Sequence, residues 1–269
     1  KVLLIGETII DQYIFGEVLG KSGKEPHLVL KEGTKENYLG GAAAVANHLS
    51  TFCKEVKFVT LAGEEKDNLN FIKRSLKKNI KVKFFNKKNS PTIIKKRFID
   101  KISQSKLLGV YSINEENLQK NLENRFINCI KKYASSCDLI LVSDYGHGFI
   151  SNKAAKIFSS SKKFFSLNAQ INASNRGYHS LRKYKKIDNL IINENELRHE
   201  MRDKVGNIEK LSLKLIKDLK VNRLTVTRGK NGAILIEKNG KTVSSPAFAN
   251  KVIDKVGAGD AMLVVISLC

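Results

Sequence analysis

The 269-residue sequence predicts an α/β protein in which helices flank a doubly wound, mostly parallel sheet that carries a small β lid. Two observations support this fold class. Short apolar runs that are typical of buried parallel strands recur along the chain, and segments with helical periodicity lie between several of them. Strands that alternate with helices favour a parallel sheet, and such sheets bind their ligands beyond the carboxyl ends of the strands.

Six apolar runs are the predicted strands: Lys1–Gly6, Val56–Leu61, Leu139–Val142, Phe164–Leu167, Leu190–Ile192 and Leu224–Val226. Helical periodicity predicts six helices: Gly41–Phe52, Asn68–Lys78, Glu115–Tyr133, Asn152–Ser160, Asn195–Asp203 and Ile208–Leu219. Two segments, at about 12–39 and 92–111, are rich in Val, Ile, Phe and Tyr and have no good helical face. We expect them to form small antiparallel excursions that act as a lid, the alternative being a pair of irregular surface loops.

The chain carries 48 Lys and Arg residues against 26 Asp and Glu, which gives a net charge of +22. A nucleic-acid-binding protein would cluster its basic residues, whereas here they are mostly Lys, are spread along the whole chain and lack aromatic interleaving. The pattern favours a solvated surface, so we predict no nucleic-acid partner. The positive field would still attract anionic ligands.

No stretch approaches the roughly 18 apolar residues of a membrane span, so no membrane partner is expected. The four cysteines show neither CxxC spacing nor a His partner at metal-site spacing, which indicates reduced thiols in a cytoplasmic protein. The sequence begins and ends inside apolar runs. We therefore expect residues 1–269 to be one domain that is truncated at both ends.

Near the C-terminus, the small residues Gly257, Ala258 and Gly259 and the acidic Asp260 precede an apolar stretch. Small residues before a helix let its first N–H groups approach an anion, and the helix dipole adds positive character there. A carboxylate beside such a site can accept the proton of an attacking hydroxyl. Phosphoryl transfer needs both parts, although an ordinary Gly-rich helix start is an equal interpretation of this run alone.

The run from Asp254 to Asp260 resembles the C-terminal signature of the ribokinase-like (PfkB) carbohydrate kinases. The resemblance implies that Asp260 is the catalytic base, that the amides of Gly257, Ala258 and Gly259 form the anion hole, and that ATP and Mg²⁺ are the cofactors. It also implies that Asp254 lies near a monovalent-cation site, so that K⁺ is a further candidate ion.

Four further motifs follow the order of this family along the chain. The first-strand motif ends at Asp11, which the resemblance implies to bind sugar hydroxyls; a strand-end turn residue is the alternative. Gly40 and Gly41 resemble the double-glycine motif of the sugar site, which opens a helix. Asn47, one turn further along that helix, is the candidate for a sugar hydrogen bond that the family often makes from an earlier position.

The other two motifs point to the nucleotide. Asn193 and Glu196 resemble the Asn-x-x-Glu motif, which implies that Glu196 positions Mg²⁺, partly through water, and the phosphates. A helix-capping Asn with a first-turn acid is the alternative. Thr227, Gly229 and Gly232 resemble the strand–turn motif beside the nucleotide, the alternative being a plain hairpin turn.

Three segments resemble the heptose-7-phosphate kinase branch of the family, which acts in making nucleotide-activated heptose for surface polysaccharides: Ser22–Pro26, Pro91–Arg97 and Ser143–Gly148. Lys95 and Arg97 are two residues apart on a predicted strand and so point to the same face. They are candidates to hold a substrate phosphate, and two solvated surface cations are the alternative.

The polar run Asn168–Gly177 looks like a loop that lines the site, and it resembles kinases of this kind that are fused to a nucleotidyltransferase domain. The sequence thus predicts an ATP-dependent kinase of a sugar or sugar phosphate, with a heptose 7-phosphate favoured. A homodimer through the lid and a fused nucleotidyltransferase are further expectations. The alternatives are a kinase of an unphosphorylated sugar or nucleoside, and a non-catalytic sugar- or nucleotide-binding module.

Overall fold

The computed structural model describes residues 1–248 and 257–269, within which twelve strands and seven α-helices are present. The strands are β1 (Val2–Lys21), β2 (Leu28–Gly41), β3 (Val56–Ala62), β4 (Ile80–Asn86), β5 (Ile93–Asp100), β6 (Lys106–Ser112), β7 (Leu139–Asp144), β8 (Phe164–Ala169), β9 (Asn189–Asn193), β10 (Arg223–Thr227), β11 (Ala233–Glu237) and β12 (Thr242–Ser245). The helices are α1 (Ala42–Phe52), α2 (Lys66–Ser75), α3 (Lys120–Ala134), α4 (Asn152–Ser160), α5 (Glu194–Met201), α6 (Ile208–Leu219) and α7 (Ala258–Leu268).

The main sheet has the strand order β12-β11-β10-β9-β8-β7-β1-β3-β4. All neighbours from β10 to β4 pair in parallel, and β11 and β12 add an antiparallel edge. Alternate residues of β1 enter two separate cores: Leu3 and Ile5 pack with α3, α4 and α6, whereas Val2 and Leu4 pack with α1 and α7. Helices therefore cover both faces, and the predicted fold class is confirmed.

The long strand β1 belongs to two sheets. Residues 2–7 pair with β3 and β7 in the main sheet, and residues 8–21 pair with β2 in the lid. The lid has the strand order β2-β1-β5-β6, because β5 joins the other side of β1 and carries β6 at its edge. Both predicted lid segments, at about 12–39 and 92–111, thus lie in one sheet. They were expected to be antiparallel, but the pairing of β1 with β5 that joins them is parallel.

Two features depart from the sequence-based expectation. The strands β4, β11 and β12 were not predicted. The edge strand β4 alternates Lys81 and Lys83 with apolar residues and the edge strand β12 is mostly Ser and Thr, so neither has the continuous apolar run of a central strand, whereas β11 does have a short one. Helix α3 begins at Lys120 rather than at residue 115. The ammonium of Lys87 donates to the backbone oxygens of Asn114 and Glu116, which holds that segment outside the helix.

Among the helices in the described part of the chain, none has the length and apolar character that a membrane span requires.

Candidate active site

A cavity of about 210 Å³ opens where the lid meets the carboxyl ends of the main-sheet strands. Seven of the predicted site residues line it: Asp11, Gly41, Lys95, Arg97, Gly257, Gly259 and Asp260. These residues come from β1, from the end of β2, from lid strand β5, and from the start of α7. The fold therefore brings together side chains that are up to 249 positions apart in the sequence.

Asp260 lies in the first turn of α7, which begins after Gly257. Within the described residues no side chain caps this helix, and Gly257 and Gly259 line the cavity, so the positive end of the helix dipole borders the cavity. Burial raises the pKa of Asp260 to about 6, and the negative charge of Asp11 acts in the same direction. A carboxylate with that pKa is ionised at neutral pH and is a better proton acceptor than an exposed aspartate.

Helix α7 is held rigidly on the main sheet. Leu263 and Val264 are fully buried in the core that α1 also contributes to. Ser267 hydrogen-bonds Ser166 of β8, with 2.6 Å between the hydroxyl oxygens. Asp260 is therefore presented by a packed element and not by a loop.

The carboxylate of Asp11 is buried and accepts a hydrogen bond from the guanidinium of Arg97 on the neighbouring strand β5. Gly40 makes room for it, because a Cβ atom at this position would lie 2.1 Å from Oδ2 of Asp11. Gly41 follows at the end of β2 and lines the cavity itself. The double glycine thus allows the turn into α1 to approach the carboxylate closely.

Lys95 and Arg97 line the same cavity, as their two-residue spacing on a strand requires. Their surroundings differ. Arg97 is paired with Asp11, and its guanidinium lies over the ring of Tyr13, 5.4 Å from the centroid. The ammonium of Lys95 lies 5.7 Å from the ring centroid of Tyr111, and burial lowers its pKa. Within the described residues, this half-buried ammonium has only a weak aromatic contact, so it is the better placed of the two to bind an incoming anion.

Asn193 and Glu196 form a capping box at the start of α5. The side chain of Asn193 accepts the N–H of Glu196 at 2.9 Å, and the carboxylate of Glu196 accepts the N–H of Asn193 at 2.7 Å. The other oxygen of Glu196 accepts the N–H of Ile171 at 3.2 Å. Burial raises the pKa of Glu196 to about 7. The helix-capping interpretation of this motif is therefore correct, and a contact with the phosphates stays a prediction.

Thr227 lies beside Asn193 in the register of β10 and β9, so both motifs end at the same edge of the sheet. Gly229 and Gly232 belong to the turn between β10 and β11, which is closed by the N–H of Arg228 donating to the oxygen of Gly232 at 2.7 Å. These residues do not line the cavity. Their contact with a nucleotide also stays a prediction.

The described residues contain no cluster of three or more His, Cys, Asp or Glu side chains that would hold a metal ion. Both oxygens of Glu196 already accept backbone N–H groups. Mg²⁺ keeps several waters and is commonly bound through one or two carboxylates together with substrate phosphates. A water-mediated contact at Glu196 fits these residues, whereas a protein cage does not. Asp254, the candidate for the monovalent cation, lies outside the described residues.

Asn47 is not brought to the cavity. Its amide donates to the backbone oxygen of Ser75 at 2.9 Å and accepts the N–H of Lys77 at 3.1 Å. Both polar groups of the side chain are thus used to join α1 to the end of α2. The expected sugar hydrogen bond from Asn47 is corrected accordingly, because the helix directs this side chain to its neighbouring helix.

Two further residues line the cavity, Tyr145 and Gln170. Gln170 lies in the run Asn168–Gly177 that was expected to line the site, and Tyr145 lies in the segment Ser143–Gly148, but neither was named individually as a site residue. Each directly follows the carboxyl end of a central strand, β7 or β8. Their position after a buried apolar run was the available indication, since that edge of a parallel sheet collects ligand-binding residues.

Comparison with known proteins agrees with this architecture. A family model described as "pfkB family carbohydrate kinase" matches residues 1–268. The bifunctional protein HldE of a Nitratiruptor species is 27% identical over 273 residues, which cover 99% of this chain and 56% of that protein. HldE of Campylobacter fetus subsp. fetus is 27% identical over 276 residues, covering 100% of this chain and 58% of that protein. The chain thus spans a little over half the length of these relatives.

Solved structures share the fold. Arabidopsis thaliana ribokinase, complexed with ribose and ATP, superposes with a TM-score of 0.69 at 18% identity, covering 98% of this chain and 83% of that one. Escherichia coli phosphofructokinase-2, in complex with substrates and products, gives a TM-score of 0.75 at 15% identity over 99% of this chain and 85% of that one. The ribokinase-like fold and the family match over residues 1–268 lead to one conclusion: the chain belongs to the pfkB family of carbohydrate kinases.

Proposed function

We propose that this kinase transfers the γ-phosphoryl group of ATP to a hydroxyl of a sugar phosphate, with a heptose 7-phosphate as the favoured acceptor. The observation that carries the proposal is the cavity itself, in which the carboxylates of Asp11 and Asp260 face the cations Lys95 and Arg97. The similarity to the HldE proteins, at 27% identity, supports a heptose phosphate among sugar phosphates.

In the proposed reaction, Asp260 accepts the proton of the acceptor hydroxyl while that oxygen forms a bond to the γ-phosphorus. The bond from the γ-phosphorus to the bridging oxygen breaks, and ADP leaves with the electron pair. The N–H groups of Gly257, Ala258 and Gly259 at the start of α7 would stabilise the negative charge on the transferred group. Mg²⁺ bound to the ATP phosphates would neutralise further charge, with Glu196 as a water-mediated contact.

The remaining cavity residues orient the acceptor. A buried carboxylate such as Asp11 can accept hydrogen bonds from two sugar hydroxyls, and its ion pair with Arg97 fixes its orientation. Lys95 then provides the positive charge for the phosphate of the substrate. An unphosphorylated sugar would bring no anionic partner for that half-buried ammonium.

The role of Asp260 is tested by Asp260→Asn, which keeps the size of the side chain and removes its basicity. We expect turnover to fall by about 10²–10⁴-fold with little change in ATP affinity, because general-base catalysis contributes that much. Asp67→Asn, on the exposed face of α2, is the matched control and should retain wild-type turnover. Near-normal activity of Asp260→Asn would refute the proposed mechanism.

The substrate class is tested by assaying heptose 7-phosphate and unphosphorylated sugars side by side with Lys95→Ala. We expect its KM to rise only for the phosphorylated acceptor, since only that acceptor has an anion for Lys95. Lys96→Ala is the matched control, because the next residue on β5 points to the other face of the strand. An equal rise in KM for both acceptors would favour the second candidate, a kinase of a free sugar. The ion pair of Arg97 with Asp11 is the observation that favours this candidate, because Arg97 already has an anionic partner.

We propose two partners beyond the small molecules. Large apolar side chains are exposed on the lid, among them Leu19, Leu28 and Leu108, and such a surface supports a homodimer through the lid. Loss of a dimer on Leu108→Lys, measured by light scattering, is the expected result, and an unchanged mass would contradict it. The length of the HldE relatives supports a fused nucleotidyltransferase, which the flanking coding sequence would reveal.

A further inference from the structure

Every polar group of Tyr145 has a defined partner. Its hydroxyl donates to Oδ1 of Asp260 at 3.1 Å, and its backbone N–H donates to Glu7 at 3.0 Å. Its backbone oxygen accepts two side-chain amides, from Asn172 at 2.9 Å and from Asn175 at 2.8 Å. The side chain is 3% exposed and still lines the cavity. A loop residue that merely filled space would not need four such bonds.

We propose that Tyr145 is a positioning residue that fixes the carboxylate of Asp260 for proton transfer, and that Glu7, Asn172 and Asn175 form a clamp that fixes Tyr145. The inference rests on the proposed role of Asp260 as the base. It assigns a purpose to Glu7 and to the polar run at residues 168–177, neither of which touches the acceptor in the proposed reaction.

The first half of the clamp comes from β1. Glu7 is fully buried at the point where β1 passes from the main sheet into the lid. One of its carboxylate oxygens accepts the N–H of Tyr145 and the other accepts the N–H of His147 at 3.1 Å. A single side chain therefore determines the course of the backbone on both sides of residue 146.

The second half of the clamp comes from the loop that follows β8. The amide of Asn175 bridges the backbone oxygens of Tyr145 and Gln170, the latter at 3.0 Å. Gly146 permits this close approach, because a Cβ atom there would lie 2.5 Å from the amide nitrogen of Asn175. The N–H of Gln170 also donates to the backbone oxygen of Asp144 at 2.8 Å. The polar loop thus holds the segment that carries Tyr145 and lines the cavity with Gln170.

The hydrogen bond from the Tyr145 hydroxyl changes the basicity of Asp260 and leaves one of its oxygens available. Within the described residues, Tyr145 is its one side-chain hydrogen-bond partner, and because the bond is made to Oδ1 it leaves Oδ2 for the acceptor hydroxyl. The bond stabilises the ionised carboxylate and so opposes the rise in pKa that burial causes. The other charged groups facing Asp260 are Asp11, which raises its pKa, and Lys95, which lowers it. Arg97 lines the same cavity and is neutralised by Asp11.

Tyr145→Phe tests the inference without a substrate. The Asp260 carboxyl is followed by carbon-13 NMR during a pH titration, and its resonance is assigned as the one missing in Asp260→Asn. We expect the midpoint to rise by about half a unit to one unit, as the loss of one hydrogen bond to a charged group implies. Tyr184→Phe is the matched control, because Tyr184 is equally buried and its hydroxyl donates to Asp144 at 2.6 Å, outside the cavity. It should leave the Asp260 midpoint unchanged.

A second variant and a kinetic measurement keep the test decisive. Asn172→Ala removes one bond of the clamp and retains the hydroxyl, so it should shift the Asp260 midpoint in the same direction by a smaller amount. With heptose 7-phosphate as the acceptor, Tyr145→Phe should lower kcat and move its acid limb upward, with the KM for ATP unchanged. A wild-type midpoint in both variants overturns the inference. An active Asp260→Asn enzyme overturns the proposed function instead, so the two failures are distinguishable.

Discussion

Gly40→Ala isolates the sugar-binding role of Asp11 without touching its charge. The added methyl carbon would lie 2.1 Å from Oδ2 of Asp11 and 3.0 Å from its carboxyl carbon, whereas real Cβ atoms essentially never approach another atom closer than 3.0 Å. The carboxylate must therefore move by about 1 Å or more to reach an ordinary van der Waals distance. Its ion pair with Arg97 moves with it, because the guanidinium is bonded to the other carboxylate oxygen.

The expected cost follows from the bonds that Asp11 makes to the acceptor. Hydrogen bonds to a charged group are worth about 1.5–3 kcal/mol each, so the loss of one raises KM for the sugar by roughly 10- to 100-fold. We expect the KM for ATP to change little, because the nearest atoms to the added methyl group belong to Asp11 and to the backbone of Ile9, and not to the start of α7. Steady-state kinetics with varied acceptor at saturating ATP measures it, and thermal unfolding shows whether the variant is folded.

Gly23→Ala is the matched control. Gly23 lies in the loop between β1 and β2, has an ordinary φ, and a Cβ atom there would meet no other atom within 4 Å. This variant should have wild-type KM and kcat. If Gly40→Ala is folded and also keeps the wild-type KM for the acceptor, then Asp11 does not bind the sugar and the proposed orientation of the substrate is wrong.

Three further predictions concern separate parts of the molecule. Because burial raises the pKa of Asp260 to about 6 and the base must be ionised, kcat/KM should fall as the pH drops through about 6, and a limb near pH 4 would contradict this. Asn193→Ala removes the capping box and should lower the free energy of unfolding by about 1 kcal/mol in denaturant titrations, whereas Asn195→Ala on the exposed side of α5 should cost less. Asn47→Ala breaks the tie between α1 and α2, so it should lower the melting temperature and leave the KM for the acceptor unchanged; a raised KM would restore its predicted role at the sugar site.

Local sequence predicted the buried elements well and the edges poorly. The central strands β7, β8, β9 and β10 are buried on both faces because helices cover them, and this favours the mostly apolar runs that identify them. An edge strand such as β4 has less to bury, so its lysines interrupt the pattern. The 20-residue β1 was predicted to end at Gly6, because its continuation into the lid depends on new partners, β2 and β5, that local sequence does not name.

The candidate site shows the same difference between residues that the sequence identifies and contacts that depend on distant partners. The resemblance located Asp11, Lys95, Arg97 and Asp260 on separate segments, and the structure brings these residues into one cavity. The contacts between them were not predictable, because the pairing of Arg97 with Asp11 depends on the register of β5 against β1. Tyr145 lies in the segment Ser143–Gly148 that resembles the heptose-7-phosphate kinase branch. Its hydrogen bond to Asp260, 115 positions away in the sequence, forms only in the folded chain.

The unequal pairing of charges in the cavity has a kinetic consequence. Arg97 is paired with Asp11, whose charge still raises the pKa of Asp260, and Lys95 is the cation that lowers this pKa in the free enzyme. A substrate phosphate bound to Lys95 would cancel that effect and bring negative charge of its own, and both changes favour the protonated form of Asp260. The acid limb of kcat, which reports the enzyme–substrate complex, should therefore lie at higher pH than the limb of kcat/KM, which reports the free enzyme. Lys95→Ala should raise the limb of kcat/KM and reduce the difference between the two. If the limb of kcat lies at or below that of kcat/KM, the substrate phosphate is not held by Lys95.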